Sequence, residues 1–480
     1  MCCAGLVKSD PLPPAPGRPA RRSELLLLGC VAVLVTLALP LVDLNAENHI
    51  SSTVPIIGGG YVVLLALTHG AVRRWAPDGD PVMLPCVALL NGLGLVMIHR
   101  LDLLAATKAA QTGNPAPGQE ALKQLLFTGL GLALFAATLR LVRDHRTLTR
   151  YRSIAGLGSL VLLVLPGILP ASLSEVNGAK LWIKLGPASI QPGEFAKLLV
   201  IMFAASYLVA KKDLFLTAGK TVLGITFPRL RDLGPLIVAW TVSVGVLALE
   251  KELGASLLFF GVLLIMLYIA TERFSWFLIG LTCFAAGCVA GYQLFAHVQV
   301  RVKVWGDPFQ YYETSGYQVA QSLFGMGTGG ITGSGLGLGR PDAVPFADTD
   351  FIIASLAEEL GTIGLGAILM TYLLLITRGL RTGLSIRDPF GKLLCGGLSF
   401  AMALQVFVVV GGVTGLIPLT GMTLPFLSYG GSSLLANYIL VALLLRMSDT
   451  ARRTPTTEPE HGPSRTPLAE AHTVLVARPH

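Results

Sequence analysis

Charge is what this sequence has least of. Only 13% of its 480 residues are Asp, Glu, Lys or Arg, whereas soluble domains usually carry about 25%. Together with 53% hydrophobic residues and a mean hydropathy of +0.67, this shortage excludes an ordinary soluble fold. We therefore expect an all-α, polytopic, multi-pass protein of the plasma membrane.

Cysteine is scarce as well, and its placement excludes a disulfide framework. The seven Cys include no pair in a polar loop. No cleavable signal peptide is evident, because the first apolar run (25–41) follows a basic tail in the manner of a signal anchor. The net charge of +8 does not indicate nucleic acid, since the basic residues follow a membrane-orientation pattern.

Twelve apolar runs are long enough to span a bilayer, which takes about 20 residues each. They are 24–44, 54–73, 82–98, 122–142, 154–171, 194–210, 233–250, 253–271, 274–298, 350–377, 393–414 and 430–447. If the N-terminus is cytoplasmic, 26 of the 36 Lys and Arg residues fall on the inner side. Both termini are then cytoplasmic.

The chain divides into three parts on this pattern. A basic cytoplasmic tail occupies residues 1–22, and the membrane domain occupies 23–447. Residues 448–480 are rich in Pro, Thr and charge, which predicts a disordered cytoplasmic tail. A large extracytoplasmic loop, 299–349, precedes the tenth predicted span (350–377). The Gly-rich run 325–339 within it predicts a flexible loop with tight turns.

Four polar stretches lie on the predicted outer face, at 177–197, 250–256, 301–351 and 415–433. In the first, Glu194 and Lys197 share one face of a helix start. Lys197 would be about one turn inside the membrane, where an unpaired charge is costly. Glu252 is a natural partner for it. The cluster is either a structural ion pair or a ligand site, or both.

The stretch "DTDFIIASLAEELG" (348–361) places carboxylates at the edge of an apolar span and inside it. Asp350 is either a helix N-cap or a functional group. Glu358 lies eight residues further along, about 12 Å deeper on a helix. A carboxylate at that depth needs an interior partner or a wet cavity.

These stretches resemble the SEDS proteins (shape, elongation, division and sporulation), the group of RodA and FtsW. "GAKLWIKLG…IQPGEFAK" is similar to G-A-x-R-W-I/L-x-x-G…x-Q-P-S/A-E-x-x-K, and "DTDFIIASLAEELG" to H-T-D-F-I-F-A-x-x-x-E-E-L-G. "GLIPLTGMTLPFLSYGGSS" is similar to G-x-x-P-V-T-G-x-x-L-P-F-x-S-Y-G-G-S-S, and "WGDPF…GYQVAQSLFGMGTGGITGSGLG" to a further family motif. The matches run in the family's order over about residues 120–447.

The departures from the family pattern are few. The family usually has ten spans, so two extra helices precede a ten-helix core here. Leu181 stands where the family has Arg, Glu252 replaces an Asp, and Asp348 replaces a His. Asp350, the acidic residue of the T-D-F motif, is retained.

The resemblance implies a glycosyltransferase that polymerises lipid II into peptidoglycan glycan strands during cell elongation. Its reaction would be an inverting displacement with Asp350 as general base, on the extracytoplasmic face. It also implies a class B penicillin-binding protein as partner, and a divalent cation (Mg or Mn) at the diphosphate. The alternatives are a lipid II flippase or transporter, which also fits twelve spans with both ends inside, and the division paralogue.

The resemblance further assigns the remaining candidate residues. For contact with the substrate or its diphosphate the candidates are Arg301, Lys303, Lys180, Lys184, Trp182, Gln321 and Ser322. The cavity and its ion pairs would use Glu194, Lys197, Glu252 and Glu358. The motif positions are Gln191, Pro192, Ser428, Tyr429, Gly430 and Gly431.

Overall fold

The computed structural model describes residues 18–453 apart from 116–117, 177–178, 187, 212–218, 223–224, 229–244 and 246–251. The described helices, numbered in chain order, are α1 (Arg18–Glu47), α2 (Thr53–Trp75), α3 (Met83–Thr112), α4 (Glu120–Leu141), α5 (Arg152–Ile168), α6 (Ala171–Ser174), α7 (Pro192–Ala210), α8 (Leu253–Thr271), α9 (Phe274–Leu294), α10 (Ala296–Gly306), α11 (Tyr317–Gly329), α12 (Ile352–Ser385), α13 (Pro389–Val413) and α14 (Gly431–Arg452). Single 3₁₀ helices lie at His145–Tyr151 and Pro341–Ala343.

Strands form only short antiparallel hairpins in the described chain. They are β1 (Glu175–Val176) with β2 (Ala179–Lys180), β3 (Ile183–Leu185) with β4 (Ala188–Ile190), and β5 (Gly219–Val222) with β6 (Ile225–Pro228). In the second hairpin Ile183 pairs with Ile190, and Leu185 pairs with Ala188.

Eleven helices within the described ranges are long and apolar enough to cross a membrane. They coincide with eleven of the twelve predicted spans, and the remaining one, 233–250, lies outside the described residues except for residue 245. The predicted all-α polytopic membrane fold is therefore confirmed. Within the long segment before α12, helices α10 and α11 occupy much of what sequence alone presents as loop.

The largest boundary difference is in α3, which continues 14 residues past its predicted end at 98. The predicted span ends at residue 98 because the charged residues Arg100 and Asp102 follow and lower the local hydropathy. Both find partners inside the protein. Asp102 accepts hydrogen bonds from the N–H groups of Glu120 (3.1 Å) and Ala121 (2.8 Å), and so satisfies orphan donors at the start of α4.

The helices pack into one bundle with a continuous apolar core. The closest pairings are α12 with α13, α4 with α14, α5 with α7, and α1 with α3. The four polar stretches meet at one end of the bundle, which we call the motif end. It carries the outer ends of α1 and α3 and the segments that precede α12 and α14.

The opposite end, which we call the basic end, is held by buried ion pairs. Asp80 at the start of α3 contacts Arg452 of α14 (2.5 Å) and Arg378 of α12 (3.5 Å). Asp449 contacts Arg446 (3.2 Å), whose guanidinium also donates to the carbonyl of Trp75 (2.6 Å). These contacts tie the end of α2 and the start of α3 to the C-terminal helices α12 and α14.

α12 is broken at Gly361, about two and a half turns after its first residue, Ile352. Gly361 has φ +70° and ψ −175°, so the helix stops there and restarts. A glycine segment, residues 330–340, packs into the break, where Thr362 N–H donates to Gly330 O (2.9 Å) and Gly335 N–H to Glu359 O (3.0 Å). The backbone groups freed by the break are thus satisfied, as a bilayer requires. The predicted flexible loop is wrong in this part.

Candidate active site

Asp350 lies in a turn, residues 346–351, at the motif end just before α12. The residue at the N-cap position is Phe351, and no side chain caps this helix. Among the described residues, no donor makes a hydrogen bond to the Asp350 carboxylate. The N-cap alternative is therefore not what the structure shows.

The backbone of the Asp350 turn is fixed by the segment that precedes α14. Ser428 Oγ donates to Thr349 O (2.6 Å) and accepts from Leu424 N–H (2.8 Å). Tyr429 N–H donates to Asp348 O (2.7 Å). The motif residues Ser428 and Tyr429 thus position the two residues before Asp350.

Glycines and prolines of the same motifs start two helices. Pro192 is at the first turn of α7, where its missing N–H costs nothing. Gln191 N–H donates to Ser432 Oγ in the first turn of α14 (2.9 Å). Gly430 and Gly431 lead into that turn. The two helix starts therefore meet at the motif end.

Arg301, on α10, approaches Asp350 beside Gly421. Its Nη1 donates to Leu419 O (2.8 Å). Gly421 has φ +74°, and a Cβ built on it would lie 3.7 Å from both Asp350 Oδ2 and Arg301 Nη2. The glycine leaves a gap between a carboxylate and a guanidinium.

Burial and neighbouring charge set the protonation of this pair. The pKa of Asp350 is raised from 3.8 to about 6. Burial is the main cause of the rise; the Arg301 charge opposes it, and the Asp348 charge adds to it. Burial lowers the pKa of Arg301, while the charges of Asp350 and Glu252 raise it. Asp350 is thus mostly ionised at pH 7, yet accepts a proton more readily than an ordinary Asp does.

One cavity borders the Asp350 turn, and a second cavity borders Arg301. One of about 300 Å³ is lined by the carboxylates of Asp102, Glu120, Asp342 and Asp348, together with Lys108. The other, of about 530 Å³, is lined by Arg301 together with Trp305, Phe309, Ser315 and Gln318. The acidic cavity thus adjoins the turn through Ala347 and Asp348, whereas the other cavity carries the guanidinium that approaches Asp350 at Gly421.

The predicted ion-pair residues lie behind the Gly421 segment. Lys197 Nζ contacts Glu194 (2.8 Å) and Gln405 Oε1 (2.9 Å), and Gln405 Nε2 donates to Thr423 O (3.0 Å). Glu252 accepts a hydrogen bond from Gln191 Nε2 (3.1 Å). Lys197 is thereby linked, through the Gln405 amide, to the segment that carries Gly421.

The other predicted substrate residues are spread out. Lys180, Trp182 and Lys184 lie in or beside the hairpins that precede α7. Lys303 lies on α10, one turn from its end. Gln321 on α11 donates to Tyr312 Oη (2.8 Å).

Ser322 corrects the prediction. Its side chain is fully buried, and its hydroxyl donates to Val319 O (2.8 Å) and Val413 O (3.3 Å). It fixes α11 against α13 and cannot reach a substrate.

The deep glutamates of α12 bind the glycine segment. Glu358 Oε1 accepts from Arg340 N–H (2.8 Å), and Glu359 Oε2 accepts from Gly337 N–H (3.0 Å). Glu359 also pairs with Arg100 (Nε–Oε1 3.3 Å), whose Nη2 donates to Gly339 O (3.0 Å). Sequence reasoning missed Arg100 because the predicted span ended at 98.

A preformed metal site is not part of this arrangement. Within the described ranges, no group of three or more His, Cys, Asp or Glu side chains is placed to hold a metal ion. The four carboxylates of the acidic cavity do not converge on one point.

Comparison with known proteins identifies relatives along nearly the whole chain. The "cell cycle protein" model of the FtsW, RodA and SpoVE group matches residues 81–453. The chain is 53% identical over 466 residues to the peptidoglycan glycosyltransferase RodA of Mycobacterium tuberculosis (strain ATCC 25618 / H37Rv), with 97% of each chain covered. It is 50% identical over 469 residues to the RodA of Mycobacterium leprae (strain TN), again with 97% of each covered.

One solved structure adds a likeness in three dimensions. It describes the structural coordination of polymerization and crosslinking by a peptidoglycan synthase complex. A chain of that complex superposes with a TM-score of 0.60 at 25% identity, covering 78% of this chain and 99% of that one.

Proposed function

The chain belongs to the FtsW/RodA/SpoVE family of cell cycle proteins, the SEDS proteins, and from this premise we infer that it is a peptidoglycan glycosyltransferase. We propose lipid II and the growing glycan strand as its substrates, and cell elongation as its role. The observation that supports the chemistry is the gap at Gly421, which holds a carboxylate and a guanidinium apart at the motif end.

The proposed reaction is a single displacement with inversion. The acceptor is the 4-hydroxyl of an N-acetylglucosamine, and the donor sugar carries an α-linked polyprenyl diphosphate. Asp350 takes the hydroxyl proton as the oxygen attacks the anomeric carbon, the bond to the diphosphate breaks, and a β-linkage forms. A carboxylate with a pKa of about 6 suits this step, since it is ionised at pH 7 and still basic.

Charge decides where the leaving diphosphate is placed. The acidic cavity presents four carboxylates, which repel an anion. The second cavity presents the Arg301 guanidinium. We therefore place the donor diphosphate beside Arg301, where positive charge stabilises the leaving group, and the acceptor on the Asp350 side. Lys303, Lys180, Lys184, Trp182 and Gln321 remain candidates for contacts further along the substrate.

A divalent cation, Mg²⁺ or Mn²⁺, enters the proposal only as a counter-ion of the diphosphate. Mg²⁺ commonly binds through substrate phosphates with few protein ligands. The described residues offer no cage for it, and no step above depends on it.

Orientation and partner are also part of the proposal. The basic residues concentrate in the segments at the basic end and in both tails, which favours a cytoplasmic location for that end. The motif end is then extracytoplasmic. A class B penicillin-binding protein is the proposed partner, supported by the similarity to a chain of a synthase complex that coordinates polymerization and crosslinking.

The test is polymerisation of purified lipid II in detergent by wild type, Asp350→Ala and Asp350→Asn, with and without the candidate partner. Asp307→Asn is the matched control, because this exposed carboxylate binds only the N–H groups of its own turn. Polymer from wild type and control, and none from folded Asp350 variants, is the expected result. Equal polymer from all four would remove Asp350 from the reaction.

The transporter alternative has its own readout. If no preparation makes polymer even with the partner present, the same protein in vesicles should be assayed for lipid II translocation. Translocation without polymerisation would replace the proposed reaction.

A further inference from the structure

The helices α1 and α2 precede residue 81, where the family match begins. α1 is not merely an added membrane anchor, because its end reaches the polar region beside α12. Two sets of contacts join it to that region, one to the glycine segment and one to α3.

The first contact is between α1 and the glycine segment. Asn45 Nδ2 donates to Leu336 O (2.6 Å). Gly337 has φ +80°, and a Cβ built on it would lie 2.9 Å from Val42 O and 3.0 Å from Asn45 Cβ. The two backbones therefore touch with no room for a side chain between them.

The second contact is a buried pair between α1 and α3. Asp43 Oδ1 lies 2.7 Å from His99 Nε2, and Asp43 Oδ2 accepts from Ser51 N–H (2.7 Å). Both side chains are at most 3% exposed. The next residue of α3 is Arg100, which binds Gly339 O and Glu359. One turn of α3 thus holds α1 on one side and the glycine segment on the other.

The glycine segment in turn closes the loop that carries Asp350. Arg340 N–H meets Glu358 Oε1 at 2.8 Å, so residues 341–357 form a closed loop with Asp350 near its middle. Beside this contact, Gly337 N–H donates a hydrogen bond to Glu359 Oε2 (3.0 Å). A shift of the glycine segment would therefore shift the base of this loop.

We propose that α1 is a positioning element of the active site. Asn45, with the Asp43–His99 pair behind it, holds the glycine segment against α12 so that Asp350 faces Arg301 across Gly421. This inference rests on the proposed transferase activity. It assigns a role to a helix that lies outside the family match.

The competing explanation is that α1 only anchors or stabilises the bundle. The chain offers a matched comparison at the other end of the same helix. There Glu24, fully buried, pairs with Arg21 and with His69 Nδ1 (2.9 Å). If α1 is only an anchor, weakening the contacts at either of its ends should change kcat to a similar extent. If α1 positions the site, only the motif end affects the chemistry.

The experiment compares Asn45→Ala with Glu24→Gln in full-length protein. We expect Asn45→Ala to lower the kcat of lipid II polymerisation about tenfold or more, with KM within about twofold, because a misplaced base weakens the transition state. Glu24→Gln should keep the wild-type kcat. Leu44→Ala, an exposed neighbour on α1, should also keep it. Asn45→Asp, which keeps the shape of the side chain but loses the donor to Leu336 O, is the second variant and should lower kcat in the same way.

A second measurement does not depend on activity. Hydrogen–deuterium exchange at the amides of 333–340 should be faster in Asn45→Ala and Asn45→Asp than in Glu24→Gln. If wild type makes no polymer, the proposed function fails, and this exchange still tests the contact. Equal kcat losses at the two ends of α1, or unchanged exchange in both Asn45 variants, would overturn the proposal.

Discussion

The position of the acid limb in the pH–rate profile is the sharpest test of the Asp350 assignment. Asp348→Asn removes a like charge and should lower the apparent pKa of Asp350. Arg301→Gln removes an opposite charge and should raise it. The two variants should therefore move the limb in opposite directions from the wild-type position near pH 6.

The size of the wild-type effect follows from the shift itself. The pKa of Asp350 is raised from 3.8 to about 6. A base must be ionised to act, so kcat/KM at pH 5 should be about a tenth of its plateau. With a base of the ordinary pKa of 3.8, the enzyme would keep about 90% of its plateau kcat/KM at that pH. The two cases differ roughly ninefold, well beyond the error of an initial-rate assay.

The assay measures initial rates of glycan polymer formation from lipid II at subsaturating concentration between pH 4.5 and 8. The fitted quantity is the limb position, not the rate, because Arg301→Gln also loses contact with the leaving group. Asp307→Asn should leave the limb unmoved. A wild-type limb below pH 4.5, or a limb that stays fixed in both variants, would refute the reasoning.

Three further predictions concern the surroundings of the site. Gly421→Ala should lower activity at least about tenfold, because φ is +74° and the new Cβ enters the gap between Asp350 and Arg301. Gly113→Ala, with φ +69° and nothing within 4 Å of the new Cβ, is the control, and equal losses would contradict the prediction. Ser428→Ala should lower the free energy of unfolding by about 1–3 kcal/mol, measured as a lower Tm, since it leaves a buried N–H and carbonyl unpaired. Lys197→Met leaves Glu194 buried without its partner and should destabilise by about 3–5 kcal/mol. The double variant with Glu194→Gln should recover part of that loss, and no recovery would argue against the pair.

Sequence predicted the spans and motifs well because both are local properties of the chain. Apolar runs of about 20 residues have few structural alternatives. The carboxylate of the T-D-F motif is also visible in sequence as a costly group at a membrane edge. The approach of Arg301 to Asp350 across Gly421 is different, since three distant segments must fold together before that gap exists.

The errors have the same origin. Arg100 was missed because a hydropathy window stops at a charge, whereas its partner Glu359 lies 259 residues away in sequence. Ser322 was assigned to substrate because a motif match does not report burial. The glycine segment was expected to be flexible, but its N–H groups bind acceptors of α12 that composition cannot reveal.

Hydrogen bonding distinguishes the roles of three carboxylates, Asp350, Glu358 and Glu359, that lie within ten residues of one another in the sequence. The oxygens of Glu358 and Glu359 already accept from Arg340 N–H, Gly337 N–H and the Arg100 guanidinium. Such groups keep their charge and hold the backbone, but have fewer lone pairs left for a substrate proton. Asp350 accepts no hydrogen bond from the described residues and faces the gap at Gly421. A general base needs an uncommitted oxygen within reach of the acceptor hydroxyl. Of these three carboxylates, Asp350 alone has both oxygens uncommitted among the described residues and lies at the Gly421 gap.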